Sequence, residues 1–150
     1  MKKIILFLVF IFLAVSLTTA AQEVLVPLYV DNYEIQKTID CEVALFPIYR
    51  KIESEKQIKN TIKKLLSLEF TENEKKSGFS SEWTKNNSVY LRDISLIQGE
   101  LVIELGDPLL FTSGGSMRVN SLKRQIERTA LQFRSVDRVE FNGPIHLFQP

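Results

Sequence analysis

The sequence predicts an α+β domain in which two helices pack on one face of a mainly antiparallel sheet. Three observations carry this expectation. Two segments place apolar residues at steps of three and four, as helices do. The segments around them alternate with a period of two, as strands do. Gln98 and Gly99 sit between two such alternating runs, as a hairpin turn would. The expected order is strand, strand, helix, strand, strand, helix, strand, with no internal repeat and no low-complexity linker.

The chain has 150 residues, 45% hydrophobic and 25% charged, which suits one core and is short for two. Residues 1–21 read as a secretory signal peptide: Lys2 and Lys3, an apolar run from Ile4, then small residues at Thr18, Thr19, Ala20 and Ala21. The apolar run is about 14 residues, against roughly 20 for a stable membrane-spanning helix, so cleavage is favoured over an uncleaved anchor. No cysteine closes the run, which argues against a lipid-modified N-terminus. Residues 22–150 then form a single domain, and loss of Lys2 and Lys3 turns a formal charge of +1 into −1. That balance gives no support for nucleic acid or an anionic membrane surface as partner. The membrane enters only through the N-terminal segment if it stays uncleaved. Cys41 is the single cysteine, so no disulfide forms within the chain, and a small buried hydrophobe is the favoured reading over a thiol that pairs between chains.

The first strand is expected over Glu23 to Asp31, where Pro27 points to an edge or a bulge because it lacks a ladder donor. A polar loop follows to Thr38, then a second extended segment through Ile52, made irregular by Pro47. Ser54 and Gln57 have capping-box spacing ahead of Ile58, Ile62, Leu65 and Leu66, the apolar stripe of the first helix. Its lysines read as a solvated face. Thr71 and Glu74 repeat the box before a short turn that Gly78 ends, and Trp83 is expected to pack in the core. The hairpin occupies "SVYLRDISLIQGELVIEL". Val119, Leu122, Ile126, Ala130 and Phe133 form the stripe of the second helix; Val139 and Phe141 mark the last strand, with a short extended end through Ile145 and Leu147.

Chemistry is sparse. His146 is the only histidine, so a Cys41–His146 dyad is the sole nucleophile-and-base pairing, and no third residue orients it. One histidine, one cysteine and scattered acids do not make a metal centre, and no cofactor is expected. Carboxylate pairs across strands, such as Asp93 with Glu104, arise by chance among 18 acids. What remains is the loop "FTSGGSMRV". A glycine-rich approach to a helix N-terminus is where an anion can bind, and Ser113, Gly114, Gly115, Ser116 and Arg118 are the candidate residues. The loop lacks the lysine of a nucleotide-binding P-loop and the spaced glycines of a dinucleotide fingerprint. Helix entry, with the flanking serines supplying the N-cap, is therefore favoured over an anion or partner carboxylate near Arg118.

In order and spacing, "LFPIYRKI", "KKLLSLEFTENEKKSGF", "LRDISLIQGELVIEL", "GGSMRVNSLKRQIERTALQF", "SVDRVEF" and "LFQP" resemble the GerMN domain, a module of bacterial sporulation and germination proteins and of other exported bacterial proteins. The resemblance covers most of residues 22–150. Where the family often has Gly-Pro-Thr after its first helix, this chain reads Glu69, Phe70 and Thr71, keeping the threonine. The resemblance implies a non-enzymatic, extracytoplasmic protein-interaction module with no catalytic residues, other envelope proteins as partners and no cofactor. An anionic or cell-wall ligand at the glycine loop is the alternative. A homo-oligomer stays open, since assembly leaves no readable mark in one sequence.

Overall fold

A computed structural model describes residues 22–37 and 44–150; the signal segment and Cys41 lie outside them. Among the described residues the order is β1 (Glu23–Asn32), α1 (Tyr33–Gln36), β2 (Phe46–Glu53), α2 (Gln57–Leu66), α3 (Glu72–Lys76), β3 (Phe79–Ser80), β4 (Tyr90–Ile97), β5 (Glu100–Gly106), α4 (Ser116–Ala130) and β6 (Arg138–Asn142). The α+β class holds. The strands form two three-stranded sheets, β2-β1-β3 and β4-β5-β6, rather than a single one.

The reason lies at the edge of β1. One side of this strand pairs antiparallel with β2, Leu28 opposite Ile48, and β3 takes the other side only at Asp31 and Asn32. Over the middle of that second side lies α4: Tyr29 N donates to Thr129 Oγ1 at 3.0 Å, and Gln132 Nε2 donates to Pro27 O at 2.8 Å. Residues of one parity share a side of a strand, so the Pro27 nitrogen faces α4 as well, and its missing N–H removes no bond to β2. With a helix over this side, β1 has no room there for a strand longer than β3.

In the second sheet β4 and β5 form the expected antiparallel hairpin, with a bulge between Leu91 and Asp93. Gln98 and Gly99 both have positive φ, 50° and 82°, the geometry that matches the right-handed twist of a two-residue turn. A Cβ on Gly99 would also collide with the Asp137 carboxylate. β6 runs parallel to β5, Leu101 beside Val139, because α4 carries the chain back to the end where β5 began.

Both helices bridge the sheets: α2 touches β1, β2, β4 and α4, while α4 touches β1 and β6. Their stripes meet in one core with Leu28, Ile48, Ile62, Leu65, Leu101, Ile103, Leu105, Leu122, Ile126 and Ala130. Trp83 is fully buried there, its Nε1 donating to Leu122 O at 3.0 Å. Burial of each large apolar side chain contributes roughly 1.5–3 kcal/mol.

Local expectations divide cleanly. The Thr71–Glu74 capping box is present, and Glu74 also takes two bonds from Arg50, at 2.7 and 2.8 Å, that tie α3 to β2. The Ser54 box is not: Ser54 N continues the strand pairing to Gln22 O at 2.8 Å, and α2 starts after Lys56, whose φ is 53° and whose side chain makes no cap bond. The stretch expected to be loop before Thr38 contains α1, capped by Asn32, whose side chain accepts from Glu34 N and Ile35 N. The chain end is not extended either. It turns twice, Leu147 N to Pro144 O and Gln149 N to His146 O, so that Phe148 can pack edge-on against Trp83 and Phe141.

Candidate functional site

The loop between β5 and α4 is built around Asp107. β5 ends at Gly106, and Pro108 sets the turn that follows. Asp107 is almost fully buried, and both carboxylate oxygens are used: Oδ1 accepts from Phe111 N at 2.8 Å, and Oδ2 accepts from Thr112 N at 2.8 Å and Thr112 Oγ1 at 2.6 Å. Burial alone would raise its pKa. The Thr112 and Phe111 bonds, with His146 nearby, outweigh that and hold the carboxyl below the usual aspartate value. The anion is thus the lynchpin of the loop.

The C-terminal segment closes on this loop. His146 Nε2 donates to Asp107 O at 2.9 Å, which assigns the proton to that nitrogen because a carbonyl only accepts. Ser113 Oγ donates to His146 O at 3.1 Å, Gly114 N to Gln149 O at 3.3 Å, and Phe148 N to Thr112 Oγ1 at 3.3 Å. The loop and tail therefore form a clasp whose inner side is the Trp83–Phe111–Phe148 cluster.

The five residues singled out from the sequence separate here. Ser113, Gly114 and Arg118 come together: Arg118 Nη1 donates to Ser113 O at 2.9 Å and to Phe111 O at 2.8 Å, and Gly114, with φ 142°, passes beside the guanidinium. Arg118 Nε and Nη2 reach Glu82 Oε2 at 2.7 and 2.6 Å, and the guanidinium lies over the Phe111 ring. Its donors are turned to groups of the protein itself. Gly115 is the N-cap of α4 and makes no side-chain bond, and Ser116 is the first helical residue. The expected serine cap is thus absent, because the N-cap position falls on Gly115, which has no side chain; the Ser113 hydroxyl goes to the tail.

A second polar centre gave no signal in the sequence. Asp31 Oδ2 accepts from Ser121 Oγ at 2.9 Å and from Gln125 Nε2 at 2.8 Å; Gln125 Oε1 accepts from Ser81 Oγ at 2.7 Å. Burial raises the Asp31 pKa, the Ser121 bond opposes it, and Glu82 adds to the rise. This chain of bonds joins β1, α4 and the segment after β3. It sets a carboxyl beside two serine hydroxyls and an amide, with no histidine or lysine in the chain of bonds.

Nothing in the described residues groups three or more metal-ligating side chains, and no helix among them is long and apolar enough to cross a membrane. Asp93 does stand opposite Glu104 in the hairpin, each paired with a cation: Lys59 at 4.0 Å and Arg92 at 3.3 Å.

No family model and no curated protein matches the chain. Solved structures do. The tandem GerMN domains of the sporulation protein GerM from Bacillus subtilis superpose with a TM-score of 0.58 at 14% identity, covering 88% of this chain and 43% of that one. The first GerMN domain of the same protein gives 0.56 at 14% identity, covering 83% and 85%. A protein described as a lipoprotein, from Clostridium perfringens, gives 0.47 at 13% identity, covering 82% and 76%. The chain has a GerMN-like fold and spans less than half of the tandem structure.

Proposed function

We propose that this chain is a non-enzymatic interaction module of the bacterial cell envelope, working outside the cytoplasmic membrane through its surface. The leader-like residues 1–21 and the fold shared with GerMN domains of a sporulation protein support the setting. One observation carries the mode of action. The loop, the tail and the first turn of α4 expose Leu109, Leu110, Ile145 and Met117 at 76, 55, 96 and 81%. Large apolar side chains left exposed on segments that the fold holds in place are the kind of groups that a protein partner covers. Leu110 holds a left-handed φ of 56°, a conformation that costs a leucine about 1 kcal/mol or more and that the clasp maintains.

The test is affinity capture from an envelope fraction with the mature chain and with a Leu109→Ser, Ile145→Ser variant. The reading expects specific partners with the first and their loss with the second. An identical partner list from both overturns it. Arg118→Ala probes the anion alternative in the same experiment: an anion at the glycine loop would have to draw Arg118 from Glu82, so this reading expects the Arg118→Ala list to change and the serine variant's to persist.

A further inference from the structure

Beside the clasp, where β4 begins and β5 and β6 end, a cleft of about 600 Å³ opens between Tyr90, Arg92, Glu104, Asn142 and His146. Its size falls within the range of small-ligand sites. Tyr90 stands directly across the hairpin from Gly106, and a Cβ on that glycine would collide with Tyr90 Cζ, so the phenol ring lies on the glycine backbone. One side of the ring is thereby fixed, while Tyr90 remains 52% exposed along the cleft. Covering Gly106 explains the position of the ring; it leaves the exposed side without a role.

Those groups decide which ligand fits. Arg92 and Glu104 pair with each other at 3.3 Å and are each about half exposed, so together they offer donors and acceptors with no net charge. Asn142 is exposed, and its side-chain amide makes no hydrogen bond among the described residues. His146 spends Nε2 on Asp107 O, and its Nδ1 makes no hydrogen bond among the described residues. A phosphate would need an excess of cations, which Glu104 cancels. A lipid tail would need an apolar lining, which four polar side chains deny. A flat, neutral ring with hydroxyl or amide groups at its rim and a C–H face to lay on an aromatic plate meets every requirement.

We propose that this cleft binds a neutral saccharide unit of a glycan chain, with Tyr90 as the stacking platform and Asn142, Arg92, Glu104 and His146 as hydrogen-bonding partners. The saccharide site does not rest on the protein-interaction reading above: Leu109, Leu110, Met117 and Ile145 take no part in the cleft, which shares only Asp107, Pro108, Pro144 and His146 with the clasp.

The test is a titration of the isotopically labelled mature chain with N-acetylchitotetraose, followed by amide chemical shifts, beside sedimentation of the chain with insoluble wall glycan. Saturable shifts confined to residues around Tyr90, Asn142 and His146, with a dissociation constant on the order of 1 mM, are the expected result. Tyr90→Ala raises that constant at least about tenfold, Tyr90→Phe keeps it within about threefold, and Asn142→Ala raises it about fivefold. Asn142 is a surface residue, so its variant decides the matter if Tyr90→Ala fails to fold. Co-sedimentation that free tetrasaccharide competes away identifies the wall polymer as the source; titration without co-sedimentation identifies soluble oligosaccharide. No saturation up to about 10 mM, shifts elsewhere, or binding indifferent to both Tyr90→Ala and Asn142→Ala overturns the proposal.

Discussion

Asp31 and Asp107 are both drawn away from water, yet the fold moves them in opposite directions. At Asp107, three donors are spread over both oxygens and a histidine ring lies 3.7 Å away, so the charged form is the favoured one. At Asp31, both donors converge on one oxygen and Glu82 is the charged neighbour, so burial prevails and the carboxyl is harder to ionise. Burial alone does not set the outcome; the number of donors and the sign of the nearest charge do. The comparison also separates two kinds of architecture. Asp107 closes a loop that the fold needs charged, whereas Asp31 links three elements at some electrostatic cost.

The largest expected effect is at the clasp. Asp107→Ala orphans the Phe111 and Thr112 amides and the Thr112 hydroxyl, and should cost about 3 kcal/mol of stability in urea titration. A cost below about 1 kcal/mol would mean that the tail, not the carboxylate, holds the loop. Asp107→Asn keeps one acceptor oxygen and should cost about half as much. Because the folded pKa is lowered, the Asp107 contribution is complete above the ordinary aspartate range and is lost as pH falls through the folded value; the Asn variant should therefore show a flatter acid limb.

Asp31 should do the reverse. Its raised folded pKa makes the folded state hold a proton more tightly than the unfolded one, so stability falls as pH rises from the ordinary value through the folded one. Asp31→Asn removes that loss, and an Asn oxygen still accepts from Ser121 and Gln125. Neutral-pH stability should rise by less than about 1 kcal/mol, and a fall of that size would show that the charge itself is needed.

The smallest effect is at the glycine that opens α4. Gly115 has φ −62° and open space where a Cβ would sit, so Gly115→Ser is free of strain and supplies the cap that α4 lacks. Thermal unfolding should shift upward by the equivalent of a few tenths of a kcal/mol. A drop instead would show that the bare backbone at Gly115 is used by something.

What the sequence disclosed, and what it hid, follows the reach of each interaction. The stripe through Val119, Leu122, Ile126 and Ala130, the Thr71–Glu74 box and the Gln98–Gly99 turn depend on residues within a few positions of one another, and all are present. The serine at 54 had the right spacing for a cap but was claimed by Gln22, a residue far back in the chain. Ser113 was likewise claimed by His146, 33 positions on. No local pattern announces such partners. Asp107 read only as the end of a strand in "GDP", although an aspartate whose oxygens meet the amides four and five residues later is a local device. The Asp31 centre joins residues some 90 positions apart and left no readable trace.

The glycine loop serves as half of a clasp that holds the C-terminal segment. Amide hydrogen exchange in the wild type and in Asp107→Ala tests it most directly. The clasp predicts that protection at Thr112, Gly114, Phe148 and Gln149 is lost together in the variant, while the β4–β5 hairpin amides keep theirs relative to global stability. Protection at Phe148 and Gln149 that persists unchanged after the Asp107 carboxylate is removed would contradict it.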